Sequence, residues 1–141
     1  MKVQKLVVEY DYDFELYGIS TPIKDYKLAW RINDHLNISL MRAEDHQLGA
    51  KDKQLQLINY KYSTDHTELR LFKNKTVLVE GEGQGYMVPE HKHYDFFITL
   101  NGKIHTFAGS ELLNQFRMIE QVQLVNVIDI ETLKSREHFL F

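Results

Sequence analysis

A chain of 141 residues with no cysteine can form no disulfide, no thiolate-ligated metal site and no cysteine nucleophile. Its 43% hydrophobic and 26% charged residues are the balance of a folded globular protein, and no apolar stretch approaches the roughly 20 residues needed to span a membrane. A net charge of −3 at pH 7 argues against nucleic acid as the main partner, because phosphate-backbone binding needs a clustered basic face.

The length predicts one domain over residues 1–141. The first ten residues, MKVQKLVVEY, hold too short an apolar run for a signal peptide, so the expected location is cytoplasmic. From Val8 to Leu16 the sequence alternates. Val8, Tyr10, Tyr12, Phe14 and Leu16 take one face of a predicted strand, and Glu9, Asp11, Asp13 and Glu15 take the other. That acidic face reads as a solvated or edge face, since a flat strand cannot wrap oxygen ligands around calcium.

In STPIKDYKLAWRINDHLN, Thr21 is expected to cap a helix with Pro22 in its first position and Asn37 at its end. Leu28, Ala29, Ile32 and Leu36 form one apolar arc, Ile23, Tyr26 and Trp30 a second, and Lys24, Lys27 and Arg31 a basic stripe. Short strands follow at Ile38–Arg42, Gln54–Tyr62, Thr67–Lys73 and Thr76–Glu80, with a bulge expected at Ile58, where the apolar phase jumps. Short turns predict a meander of antiparallel neighbours. GEGQGY lacks both a following helix and a phosphate-loop lysine, and reads as a loop. Tyr94–Leu100 is the next predicted strand, and Asn101-Gly102 the strongest turn signal. Ser110 is expected to cap a helix running to about Glu120, and Val122–Ile130 to form a well-buried strand. The fold class is α+β: one antiparallel, possibly mixed, sheet with two main helices, in which the strand–helix–strand pieces could be ferredoxin-like units.

VPEHKHYDFF, residues 88–97, is the densest chemical cluster. Residues two apart share a strand face, so an early strand start would converge His91, His93 and Asp95 as ligands for zinc or non-haem iron. The simpler reading is a solvated lead-in to the strand, with Pro89 holding Val88 extended and removing one ladder donor.

Pro89, Glu90 and Asp95 in VPEHKHYDF match the hallmark of the IPExxxVDY family of bacterial proteins, with Val88, Tyr94 and Phe96 as substitutes at its other positions. The stretch DFELYGISTPIKDYKLAWRIN, Asp13 to Asn33, is similar to a second part of that family's sequence. The chain thus resembles the family over most of its length, and the resemblance implies no activity. It does imply that His91 and His93 occupy variable positions, which leaves Glu90 and Asp95 as polar clasps or as a site.

The expected function is a non-catalytic binding or assembly module. Self-association, most simply as a symmetric homodimer, would use aromatic surface at Tyr17, Trp30, Phe139 or Phe141. The alternative is a metal-dependent or acid–base enzyme centred on Glu90, His91, His93 and Asp95. No cofactor or small-molecule ligand follows from the residues. Ser20, Ser39, Ser63 and Ser110 lie at predicted caps and turns, so no nucleophile–base–acid set emerges.

Overall fold

The computed structural model describes residues 13–48, 55–78, 84–107 and 110–139. In chain order the elements are β1 (Glu15–Ser20), α1 (Asp25–Leu36), β2 (Met41–Arg42), β3 (His46–Leu48), β4 (Leu55–Leu57) and β5 (Asn59–Ser63). They continue with β6 (Glu68–Lys73), β7 (Lys75–Leu78), β8 (Gln84–Tyr86), β9 (Phe96–Asn101), α2 (Ser110–Arg117) and β10 (Leu124–Ile128). This is the α+β architecture that the sequence implies. The expected single sheet is instead two antiparallel sheets, one of six strands in the order β10-β1-β9-β6-β5-β2 and one of four in the order β3-β4-β7-β8.

Period-two alternation gives the large sheet two buried faces. Tyr17 and Ile19 of β1, Leu69 and Leu71 of β6, and Ile98 and Leu100 of β9 join Leu28, Ile32 and Leu36 of α1 and Leu112 and Phe116 of α2 in one core. The Tyr17 ring meets the Phe116 ring edge-on at 5.3 Å. On the opposite face Leu16, Phe72, Phe97 and Val88 pack with Ile130, Leu133 and Phe139. No α-helix among the described residues covers this second face. It is closed by the 88–95 turn and by the C-terminal segment, which forms 3-10 turns at Ile130–Thr132 and Arg136–Phe139. Tyr17 and Phe139, expected at an aromatic surface, are therefore buried in opposite cores. Phe141 lies outside the described residues.

Strand directions follow from the pairings. β9 and β10 each pair antiparallel with β1, which lies between them, so β9–α2–β10 is a split β–α–β unit of the ferredoxin-like kind. The β1–α1–β2 piece is wider, with β9, β6 and β5 between its strands.

The predicted Gln54–Tyr62 strand breaks at Ile58 into β4 and β5, which belong to different sheets. Its partner breaks likewise at Asn74, between β6 and β7. Asn59 faces Phe72 on one side of the fold line and Gln56 faces Val77 on the other, so the register slips where the hairpin bends. The phase jump at Ile58 thus marks a change of sheet; β5 and β6 are the antiparallel neighbours that the short turn between them predicts, whereas β6 and β7, joined at Asn74, belong to different sheets. Buried asparagines satisfy the backbone at both breaks. Asn59 Nδ2 donates to Glu44 O at 2.8 Å, and Asn74 serves the turn described below.

Four local expectations change. α1 begins at Asp25, and no side chain caps it. The Thr21 hydroxyl instead donates to Gln121 O at 2.7 Å, tying the α1 approach to the chain before β10. Asn37 does close α1, in the left-handed conformation at φ 55°. β10 is an edge strand in the large sheet, with Leu124 and Val127 exposed, rather than a fully buried one. The predicted Val8–Leu16 strand falls mostly outside the described residues, and β1 runs on to Ser20, with Glu15 accepting the Tyr17 hydroxyl at 2.7 Å. Gln84 and Gly85, read as loop, belong to β8. No helix among the described residues is long and apolar enough to cross a membrane.

Candidate functional site: a clasped turn beside a lysine-lined cleft

The motif residues connect β8, an edge of the small sheet, to β9, inside the large one. Pro89 opens a 3-10 turn over Pro89–His91, a position where its missing N–H costs nothing. Val88, at φ −125°, stays out of the helical region as a residue before proline must. β9 starts at Phe96, not Tyr94, so His91, His93 and Asp95 lie on a turn and do not share a strand face. Among the described residues no group of three or more His, Asp and Glu side chains could hold a metal ion. The His91 and His93 rings instead stand edge-on at 5.5 Å, with the Tyr94 ring 4.1 Å from His93.

Four chain segments are fastened to this turn. Glu90 holds the C-terminal one: its Oε2 accepts the N–H groups of Lys134 at 2.6 Å and Ser135 at 3.0 Å, and its Oε1 accepts the Ser135 hydroxyl at 2.7 Å. Partial burial pushes the Glu90 carboxyl pKa up. The hydrogen bonds from its own N–H, from the Ser135 hydroxyl and N–H, and from the Lys134 N–H together outweigh this and leave it below the usual value. His138 Nδ1 donates to Met87 O at 2.6 Å, adding a second tie to the same segment.

Asp95 holds the end of β1. Its Oδ2 accepts the Thr21 N–H at 2.8 Å, its own N–H donates to Ile19 O at 2.8 Å, and the Ser20 hydroxyl donates to His93 O at 2.7 Å. Tyr94 packs against Gly18, where an added Cβ would come within 2.8 Å of both its ring and Ile128. The Tyr94 hydroxyl accepts from Asn126 of β10 at 2.8 Å.

Asn74, 1% exposed, holds the turn from beneath. Its Oδ1 accepts the Val88 N–H at 2.8 Å, while its Nδ2 donates to His91 O at 3.0 Å and Tyr94 O at 2.9 Å. Its backbone N–H and carbonyl pair with Asp95 O and the Met87 N–H. The sequence offers Asn74 only as a turn residue, and no local signal marks it as the hub of a turn far along the chain.

A cleft of about 350 Å³ opens beside this turn, at the N-terminal end of α1 and the start of β9. Lys24, Lys73, Lys75 and Lys92 line it, with Asp25, Asp95, Tyr86 and Tyr94. Glu90, His91 and His93 are not among its walls. Lys92 Nζ sits 5.3 Å above the Tyr86 ring. The two carboxylates are already engaged, Asp25 by the Tyr60 hydroxyl at 2.6 Å and Asp95 by Thr21. Burial, and then the bond to Asp25, raise the Tyr60 pKa well above its usual range, so its hydroxyl stays a donor. Lys73 and Lys75 flank Asn74 at the break between β6 and β7, and no sequence spacing links that pair to Lys24 or Lys92. Of the predicted basic stripe only Lys24 reaches the cleft; Lys27 is exposed and Arg31 faces Glu120 at 3.8 Å.

On the outer side of α1, Tyr26 and Trp30 are 55% and 64% exposed, one turn apart. Asn33 shares their flank and is bonded to the backbone of Leu40. His35 and Arg31 face α2 and the chain just after it instead, through Gln115 and Glu120. Among the described residues, Trp30 is thus the predicted interface aromatic that the fold leaves at the surface. A scan against protein-family models and a search of curated proteins both find no match to this chain.

Proposed function

We propose that this chain is a non-catalytic binding module that assembles with a second copy of itself through the outer stripe of α1. One observation carries the reading. Lys27, Trp30 and Asp34 are all exposed and lie three and four residues apart, so they form one line along the helix with opposite charges at its ends. A two-fold axis through Trp30 lays a second α1 antiparallel on the first and sets Lys27 of each copy beside Asp34 of the other. The stripe is self-complementary. Neither charge makes an ion pair among the described residues, and tryptophan at the centre of such a contact is a favoured anchor.

Glu90 fits a clasp in a binding module better than a general acid in an enzyme. A carboxylic acid that donates a proton near neutral pH needs a raised pKa, whereas that of Glu90 is lowered. Membership of the IPExxxVDY family is part of the proposal. The stretches that carry the resemblance touch directly, through Gly18 with Tyr94, Ser20 with His93, and Thr21 with Asp95. The cytoplasm is the compartment proposed, on the composition of the chain.

Light scattering coupled to gel filtration tests the reading. Twice the monomer mass for wild type and the monomer mass for Trp30→Ala support it. A monomeric wild type at concentrations near 100 times a micromolar Kd would sink it.

A further inference from the structure

We infer that the lysine-lined cleft beside the clasped turn binds a phosphoryl group carried by a small molecule. The inference is independent of self-association. Four lysines, Lys24 before α1, Lys73 ending β6, Lys75 starting β7 and Lys92 in the turn, line a cleft of about 350 Å³, the size of a small-ligand site. None of the four makes an ion pair among the described residues.

Like charges in excess of the carboxylates beside them repel, and a cleft with low-dielectric walls focuses their field on whatever enters. The N-terminus of α1 adds to that field. Its first-turn N–H groups have no acceptor within the helix, no side chain caps them, and Lys24 and Asp25 put that end at the cleft wall. Asp25 and Asp95 oppose an anion, but each has an oxygen engaged by a protein donor, and the four lysines outnumber them.

This much positive charge exceeds what one carboxylate would neutralise. It suits a phosphate monoester, which brings close to two negative charges and three acceptor oxygens. Lysine serves such a group as a point charge. The chain as a whole is net negative at −3, so the positive field is local, which favours a small molecule over an extended nucleic acid.

The test is calorimetric titration of the full chain near neutral pH and about 0.15 M salt, with inorganic phosphate, pyrophosphate and AMP as separate probes. Lys75→Gln/Lys92→Gln removes two cleft charges. Both side chains are exposed and make no hydrogen bond among the described residues, and only the contact of Lys92 with the Tyr86 ring is lost, so the unfolding midpoint should stay close to the wild-type value. Lys103→Gln/Lys134→Gln removes two exposed charges that do not line the cleft. One-site saturable binding to wild type is expected, weakened about tenfold or more by the cleft variant and unchanged in the control. AMP binding more tightly than inorganic phosphate supports a phosphoryl group carried by a small molecule, and equal affinities would overturn that in favour of the free ion. Absence of saturable binding for all three probes, or equal weakening in both variants, would overturn the inference.

Discussion

Glu90 and Ser135 lie 45 residues apart, yet one carboxylate accepts both the Ser135 hydroxyl at 2.7 Å and the Ser135 N–H at 3.0 Å. With the Lys134 N–H on the same oxygen, the motif glutamate holds down the segment whose Leu133 and Phe139 close the second core. A surface acid thereby stabilises apolar packing that it does not touch.

Replacing Glu90 by Gln keeps the size and removes the charge and one acceptor. Allowing for solvent screening, the expected loss is about 1–2 kcal/mol of folding stability, read from urea unfolding. The pH dependence has a definite sign. The folded pKa lies below the reference value of 4.5, so the carboxylate's contribution is complete above that value and disappears as pH falls through the folded pKa. The gap between wild type and Glu90→Gln should be constant near neutrality and close on acidification. A gap that widens toward low pH would contradict the clasp.

Asn74→Ala should cost more, because the site is buried. The Val88 N–H loses its acceptor, and the carbonyls of His91 and Tyr94 lose a donor. About 2–4 kcal/mol is expected in the same unfolding experiment. Hydrogen exchange should then locate the loosened amides in residues 87–95, ahead of those in β6.

Gly18→Ala tests the contact under Tyr94. The new methyl would lie 2.8 Å from the Tyr94 ring and from Ile128, in a strand whose neighbours on both sides are fixed. Overpacking of this kind costs about 1–3 kcal/mol, and the Tyr94 ring signals should shift in the NMR spectrum even where the fold survives.

The local patterns in the sequence were the ones that carried into the structure. The apolar arc of Leu28, Ala29, Ile32 and Leu36 and the cap at Asn37 depend on periodicity and backbone conformation within a few residues, and each is found; at Asn101-Gly102 the chain only bends, with Gly102 at φ 93°, and the tight turn follows at His105–Thr106. What failed depends on long-range partners. Thr21 is a good capping residue, but Gln121 takes its hydroxyl and Asp95 its N–H, so α1 starts a turn later. Ile58 announces a break in phase, and nothing local says that the chain there leaves one sheet for another. Tyr17 and Phe139 are apolar enough for either a surface patch or a core, and only the placing of α2 and the C-terminal turns decides for the core. The candidate site was legible as a place and not as a geometry. The residues 88–97 are indeed where the segments meet, but the lysines of the cleft come together only through the fold.

The central claim is the self-complementary stripe of α1, and reversal of its charges tests it most directly. Sedimentation velocity would compare wild type with Lys27→Glu, Asp34→Lys and the double variant. The account predicts a dimer for wild type, dissociation toward monomer in each single variant, and recovery of the dimer when both reversals are combined. A monomeric wild type, or a double variant no more associated than the singles, would contradict it.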